Sequence, residues 1–234
     1  MKNYNEQNKS VYNKISAIFA QTRGYVWHDI APLISYTHDG DTVLDLGCGT
    51  GRLYQLFQEF QGEKGVSYIG VDHSEGQIEV AKKQYPQANF QVGDMLAISL
   101  ADNTVDIVYS IAAFHHLSTE ETRLQALAEM KRVLRPGGII AMTNWFLDST
   151  YARNKLSSGK WHYGETKKDV IIPWRNADGS VVGERYYHAF DMDEMEDLLA
   201  RTGFSVVEQY LSEPAPESND TEGKNFITVA RLNT

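Results

Sequence analysis

The sequence predicts an α/β fold built around a parallel sheet, and three observations carry that prediction. Short apolar runs alternate with amphipathic helical patterns from residue 42 to residue 145, an order that requires right-handed crossovers between parallel strands. A glycine-rich turn, "DLGCGTGR" at residues 45–52, separates the first such strand from the first such helix. After residue 145 the alternation breaks, and a hairpin pattern is inserted before the last helix and two last strands.

In chain order, "SVYNKISAIFAQTRG" places Val11, Ile15, Ile18 and Phe19 on one helical face, with Ser10 as its cap and Gly24 as its stop. A second short helix is expected from Tyr25 towards Tyr36, disturbed by Pro32. "TVLDLG" is a buried strand and "GRLYQLFQEF" a helix; "SYIGVD" is a strand and "SEGQIEVAKKQY" a helix that ends before Pro86. "NFQVGD" and "VDIVYSI" are strands. "STEETRLQALAEMKRVLRPGG" is a helix with a capping box from Ser118 to Glu121, an inner stripe of Leu124, Leu127 and Leu134, and a stop at Pro136-Gly137-Gly138. "IIAMTN" is the next strand. "DVIIPWRNADGSVVGERYYHAF" then reads as two strands around an Asp178-Gly179 turn. "DMDEMEDLLARTGF" is a helix starting at Asp191 and closed by Gly203. The last strands, "SVVEQYL" and "FITVAR", flank the polar loop "SEPAPESNDTEGK".

Composition narrows the functional classes. The 234 residues, 42% of them hydrophobic, suffice for one α/β domain of generous size. No run approaches the ~18 apolar residues of a membrane span, and the polar start "MKNYNEQNKSVYNK" lacks a signal-peptide core, so no membrane association is expected. The single cysteine, Cys48, excludes a disulfide framework and argues against a cysteine-based metal site, which suits a reducing, cytoplasmic setting. The net charge of −9 shows no obvious nucleic-acid footprint. The charge is uneven, however. Between Tyr151 and Tyr187 seven basic residues face four acidic ones, which reads either as a solvated insertion or as a mildly basic lid over an anionic substrate.

Three ligand classes use a glycine-rich turn between strand and helix. A phosphate loop needs Lys-Ser/Thr after its last glycine, and Arg52-Leu53 stands there instead. A dinucleotide fingerprint spaces its glycines G-x-G-x-x-G, whereas here the spacing is Gly47-x-Gly49-x-Gly51. The third class is the S-adenosylmethionine loop, preceded by an acid, here Asp45. A pyrophosphate would be repelled by that acid, while the α-ammonium and sulfonium of S-adenosylmethionine are suited by it. Asp72 ends the second strand, where an acid can accept both ribose hydroxyls, and Asp94 ends the third, where it can accept from the adenine amino group with Met95 against the ring. Any one of these acids could be a turn former or a helix cap; three at the ends of three successive strands point to a ligand. With Gly47, Cys48, Gly49, Gly51, His73 and Ser110 they form the candidate cofactor set.

The run from Asp45 to Gly138, with "LRPGG", resembles the class I S-adenosylmethionine-dependent methyltransferases. That resemblance implies a Rossmann-like, seven-stranded, mostly parallel sheet of order 3-2-1-4-5-7-6, with "FITVAR" as the antiparallel last strand. "VYNKISAIFAQTRGYVW", "SIAAFHHLSTEETRLQALAEMKRVLRPGG", "DVIIPW" and "RYYHAF" occur in this order and resemble the methyltransferases that esterify 5-carboxymethyluridine at the tRNA wobble position, domains also found fused to AlkB-type hydroxylases. The closer resemblance implies a tRNA substrate, S-adenosylhomocysteine as product and a small zinc-binding activator as partner. A single domain over 1–234 is expected. Its parts are an N-terminal helical cap (1–40), a cofactor-binding core (41–145), an insertion acting as substrate lid (146–190), and a C-terminal helix with strands six and seven (191–234).

A carboxylate nucleophile is ionised at neutral pH and needs no general base, only a cation or donors that hold one oxygen. Arg23 and Arg185 are candidates for that clamp. His116 is a third catalytic candidate: a base if the acceptor is a phenol or amine, an orienting donor if it is a carboxylate. His115, Tyr12, Trp27, Tyr187 and His188 are candidates to line the acceptor pocket. Strand alternation in "RYYH" puts Arg185 and Tyr187 on one face and Tyr186 and His188 on the other, so only one pair can face the site. A small-molecule O- or N-methyltransferase, a non-catalytic cofactor-binding interaction protein and a dinucleotide oxidoreductase stand as alternatives.

Overall fold

The computed structural model describes residues 2–22, 28–60, 65–214 and 225–234, with backbone alone at 59 and 60. It opens with α1 (Tyr4–Thr22), followed by a 3-10 turn (Ala31–Tyr36) carrying Pro32. The core then runs β1 (Thr42–Leu46), α2 (Arg52–Phe60), β2 (Ser67–Asp72), α3 (Glu75–Gln84), β3 (Asn89–Val92), β4 (Val105–Ile111), α4 (Glu120–Val133) and β5 (Leu134–Trp145). The insertion comprises α5 (Thr150–Ser157), β6 (His162–Tyr163), β7 (Asp169–Arg175) and β8 (Val181–His188). The chain closes with α6 (Met192–Thr202), β9 (Phe204–Leu211) and β10 (Asn225–Leu232).

Seven strands form one sheet in the order β3-β2-β1-β4-β5-β10-β9. β10 is antiparallel to both β5 and β9. With β9 and β10 as the sixth and seventh strands, this is the order and polarity that the resemblance implies. β1 divides its side chains between two cores, as a strand covered on both faces must. Leu44 and Leu46 join Ala126, Met130, Met195 and Leu199 of α4 and α6. Val43 joins Leu53, Phe57 and Ile78 of α2 and α3, with Leu33 and Ile34 of the 3-10 turn. The hairpin and β6 make a separate three-stranded sheet, β6-β7-β8.

Several boundaries differ from the sequence reading. α1 begins at Tyr4, so Ser10 lies inside it, exposed, and caps nothing. Its buried stripe is Tyr4, Asn8, Val11 and Ile15, while Ile18 is 46% exposed; the helix packs on β8 and α3, and those neighbours choose its inner face. Gly24, Tyr25 and the rest of 23–27 lie outside the described residues. The capping box of α4 sits one residue later than expected: Thr119 Oγ1 accepts from Thr122 N–H at 3.2 Å. "LRPGG" belongs to β5 and does not extend the helix. Leu134 pairs with Val105, and a register shift before Ile107 accommodates the extra residues, with Pro136 exposed where its missing N–H costs no ladder bond. α5 and β6 were not foreseen. The cap of α6 was: Asp191 accepts from Glu194 N–H at 2.9 Å, and Gly203 closes the helix at φ 92°.

Candidate active site

A cavity of about 330 Å³ opens at the carboxyl ends of β1, β2 and β4, roofed by the first three turns of α1. Its floor is the glycine turn. Gly47 N–H and Cys48 N–H both donate to Val71 O, at 2.7 and 3.0 Å, which folds the loop back over β2. Gly47 has φ 83°, and a Cβ there would lie 2.3 Å from the Ala113 Cβ, so only glycine allows the β4 turn to close against it. Gly51 meets the Phe90 ring instead, 2.6 Å from where its Cβ would be, and thus serves packing under the site.

The acids face this floor. Asp45 Oδ2 accepts from the Tyr68 hydroxyl at 2.6 Å, while Oδ1 is buried with no partner among the described residues. Burial pushes the Asp45 carboxyl up to about 7, against the pull of the Tyr68 hydrogen bond. Asp72 accepts from Gly49 N–H and Ser74 N–H, both at 2.8 Å. Burial raises its pKa while those two amides hold it down. Asp94 accepts from Leu96 N–H at 2.9 Å. His73, Cys48, Gly49 and Met95 share the cavity wall. The Cys48 thiol is pushed well up by burial and by Asp45 and Asp72, so it is an inert small side chain. Ser110 is buried in β4 next to Ile111, which lines the cavity; Ser110 itself is not on the wall. Gln77, in the first turn of α3, is on the wall, buried, with both amide atoms lacking a partner among the described residues. A buried acceptor for a cation beside acceptors and donors for hydroxyls and a base is a donor set that S-adenosylmethionine fits.

A second cluster of candidate residues lies where α1 crosses β8; of these, Tyr12 and His116 line the cavity and Arg185, Tyr187 and His115 do not. Asn8 reads both backbone groups of Tyr186: its Oδ1 accepts from Tyr186 N–H at 2.8 Å and its Nδ2 donates to Tyr186 O at 3.0 Å. His116 Nδ1 donates to the same carbonyl at 2.8 Å, which leaves Nε2 to accept from the Tyr12 hydroxyl at 2.9 Å. His116 is therefore a neutral imidazole with its lone pair occupied, and burial pushes its pKa down to about 3. Arg185 is 5% exposed. Its guanidinium stands 5.1 Å from the Trp174 ring, 5.4 Å from Tyr187 and 5.8 Å from Tyr12. Its Nε is buried with no hydrogen-bond partner, and it forms no ion pair among the described residues. Ring faces and the Tyr12 hydroxyl hold this buried cation, and no carboxylate among the described residues balances it.

His115 is fully buried behind this cluster. Its Nδ1 accepts from Trp145 N–H at 3.1 Å and its ring packs on Tyr187 at 4.9 Å; burial holds its pKa well below the usual value. Of the two faces of β8, Arg185 and Tyr187 point to the His116 cluster. His188 turns the other way and pairs with Glu194 at 2.8 Å, beside Arg123, so it braces α6 and α4 away from that cluster. Arg23 and Trp27 lie outside the described residues. Sequence reasoning missed Asn8, Lys9, Gln77 and Trp174. Lys9 pairs with Glu75 at 2.6 Å, and Asn13 accepts from Ser74 Oγ and Gly76 N–H at 2.6 and 3.0 Å, tying α1 to α3. Extending the α1 pattern back to Tyr4 would have put Asn8 and Tyr12 one turn apart on the same side.

The family described as a methyltransferase domain matches residues 44–142. A methyltransferase of Encephalitozoon cuniculi is 30% identical over 84% of this chain and 86% of its own length. The tRNA (carboxymethyluridine(34)-5-O)-methyltransferase of Schizosaccharomyces pombe is 27% identical, covering 87% of this chain and 91% of that one. The mouse enzyme of that name, ALKBH8, is 33% identical over 62% of this chain, which spans only 21% of the mouse protein. Among solved structures, a SAM-dependent methyltransferase from Methanosarcina mazei superposes with TM-score 0.71 at 18% identity, over 89% of this chain and 99% of that one. The methyltransferase bound to the Trm112 methyltransferase activator of Haloferax volcanii gives TM-score 0.65 at 19% identity, over 95% and 98%. The glycine turn, the acids around it and these relatives together define the class: the chain belongs to the S-adenosylmethionine-dependent methyltransferases. Its cofactor is S-adenosylmethionine. Among the described residues, no helix is long and apolar enough to cross a membrane.

Proposed function

We propose that this methyltransferase esterifies a carboxylate, that of 5-carboxymethyluridine at the wobble position of tRNA. The observation that carries the reading is Arg185: a buried guanidinium set among three rings, with no acid among the described residues to neutralise it. A substrate carboxylate would complete the pair through one oxygen and keep the other free to attack. S-adenosylmethionine supplies a methyl on a sulfonium, so a C–O bond forms as the C–S bond breaks and S-adenosylhomocysteine departs. Asp45 would take the cofactor's ammonium, Asp72 the ribose hydroxyls and Asp94 the adenine amino group.

His116 supports a carboxylate over a hydroxyl or amine acceptor. Its lone pair accepts from Tyr12 and its pKa is depressed to about 3, so it is poorly suited to remove a proton. A carboxylate has none to remove. On this reading 41–145 holds the cofactor and 146–190 the acceptor, as the lid expected from the sequence, in a cytoplasmic setting. The tRNA substrate is the one named for the Schizosaccharomyces pombe and mouse relatives. A small activator of the kind bound to the Haloferax volcanii methyltransferase is the partner proposed. A small carboxylic acid is the second reading, favoured by the net charge of −9.

The test is transfer of radiolabelled methyl to bulk tRNA from cells lacking this chain, with and without such an activator. Label on tRNA that mild base releases as methanol supports the ester. Label that stays bound under base, or appears only in a metabolite extract, overturns the tRNA ester.

A further inference from the structure

Residues 149–164, "STYARNKLSSGKWHYG", carry Arg153, Lys155 and Lys160 and no acid, in a chain of net charge −9. They form α5 and lead into β6. The segment is anchored from beneath: Ala152 is buried, and Leu156 and Trp161 pack on Leu147, Val170, Ile172 and Tyr187. What this anchoring leaves outside is aromatic and cationic. Tyr151 is 45% exposed and Tyr163 49% exposed. Trp161 stands edge-on to the Tyr151 ring at 5.7 Å, and Lys155 Nζ lies 5.0 Å from that ring. Among the described residues Lys155 and Lys160 have no carboxylate at ion-pair distance, and Arg153 reaches only the exposed Asp148, at 3.6 Å.

The place of this surface matters as much as its chemistry. Tyr187, a member of the cluster against which Leu156 and Trp161 pack, also lies against His116 at 4.6 Å and under Arg185. The patch is therefore joined to the His116 and Arg185 cluster through this packed core. The +3 segment is isolated on an acidic chain, so an anionic polymer is drawn to this surface and repelled elsewhere. Exposed rings beside solvent-facing cations suit a single strand, whose unstacked bases lie on aromatic faces while its phosphates meet lysine and arginine.

We propose that the outer face of α5 and β6 binds single-stranded RNA beside the reaction site, with Arg153, Lys155 and Lys160 on phosphates and Tyr151 and Tyr163 stacked on bases that flank the methylated nucleoside. The inference rests on the tRNA reading of the acceptor and adds the surface that holds it.

The test measures fluorescence anisotropy of a labelled anticodon stem-loop RNA over a salt series. It runs beside calorimetry of S-adenosylhomocysteine binding and methyl transfer to bulk tRNA. The triple variant Arg153→Ala/Lys155→Ala/Lys160→Ala is expected to bind the RNA at least about tenfold more weakly. Its plot of log affinity against log salt flattens by about 2, at roughly 0.7 per lost single-strand phosphate contact. Tyr151→Ala/Tyr163→Ala weakens binding and keeps the slope. Unchanged S-adenosylhomocysteine affinity in both variants certifies the fold, and Lys160→Glu, in an exposed loop, repeats the charge test with one substitution. A triple variant with wild-type RNA affinity and slope overturns the surface, as does a wild-type protein that methylates tRNA without binding the stem-loop; an acidic protein as the true occupant would give that same result. Charge-sensitive RNA binding without methyl transfer to tRNA upholds the surface and sinks the tRNA reading instead.

Discussion

The proposed contact of Asp45 with the cofactor's ammonium would couple its protonation to cofactor binding. Its pKa in the cofactor-free fold is raised to about 7 by burial, so below that pH the carboxyl is neutral and offers a cation little. Affinity for S-adenosylhomocysteine should therefore weaken from pH 8 to pH 6, by up to about tenfold per unit below 7. Asp45→Asn should bind weakly at pH 8 and lose that slope; calorimetry at three pH values decides. The stability sign follows from the same shift. A group whose folded pKa is raised favours the fold at low pH and loses that contribution as pH rises through about 7. The melting temperature of the cofactor-free protein should thus carry a fall across that range that Asp45→Asn lacks. At the acceptor, Arg185→Ala should lower kcat/KM about 100-fold, the order seen when a preorganised donor is lost. Arg185→Lys should recover only part of it, because an ammonium cannot spread over three ring faces as the planar guanidinium does. Equal activity in wild type and Arg185→Ala would remove the clamp.

At the scale of elements, α1 does the joining. It reaches the start of α3 through Lys9 and Asn13, and β8 and His116 through Asn8 and Tyr12. These ties differ in worth. Lys9–Glu75 is an ion pair with Glu75 55% exposed, and such pairs contribute about 0–1 kcal/mol. Asn8 is buried and satisfies a strand N–H that would otherwise be left without a partner. Asn8→Ala should cost about 2 kcal/mol in urea unfolding, and Glu75→Ala under about 0.5. Loss of Asn8 also removes both of its bonds to Tyr186 and loosens α1 on β8, so the KM for the methyl acceptor should rise more than that for the cofactor. A reversed order of the two stability losses would show that the salt bridge, not Asn8, seats the helix.

Over the whole molecule, the sheet holds the glycine turn, the three acids and the β4 turn at one edge, and the insertion, from a second sheet, packs Tyr187 with Arg185 and Trp174 behind His116, which lines the cavity. α1 contacts both, and the wall of the cavity itself is made by α1 and by the loops at the sheet edge, up to Leu117. S-adenosylhomocysteine at 100 times its dissociation constant should raise the unfolding free energy by about 2.7 kcal/mol in a single cooperative transition. A ligand-dependent second transition would instead mark the insertion as an independently melting unit.

The sequence by itself determined the alternation that makes the parallel sheet, the glycine turn, and the acids that end three strands. Each of these is local: a period of two or 3.6, a turn that only glycine permits, an acid where a strand stops. "RYYH" shows the limit of such signals. Alternation divides Arg185 and Tyr187 from Tyr186 and His188, but which pair faces His116 is set by contacts such as that of Asn8, 178 residues away, gripping Tyr186. The same holds for the α1 face, for Trp174 over Arg185, and for "LRPGG", which a helical pattern claims and a partner strand takes. Those choices rest on hydrogen bonds and packing between distant segments, and only the tertiary structure brings the segments together.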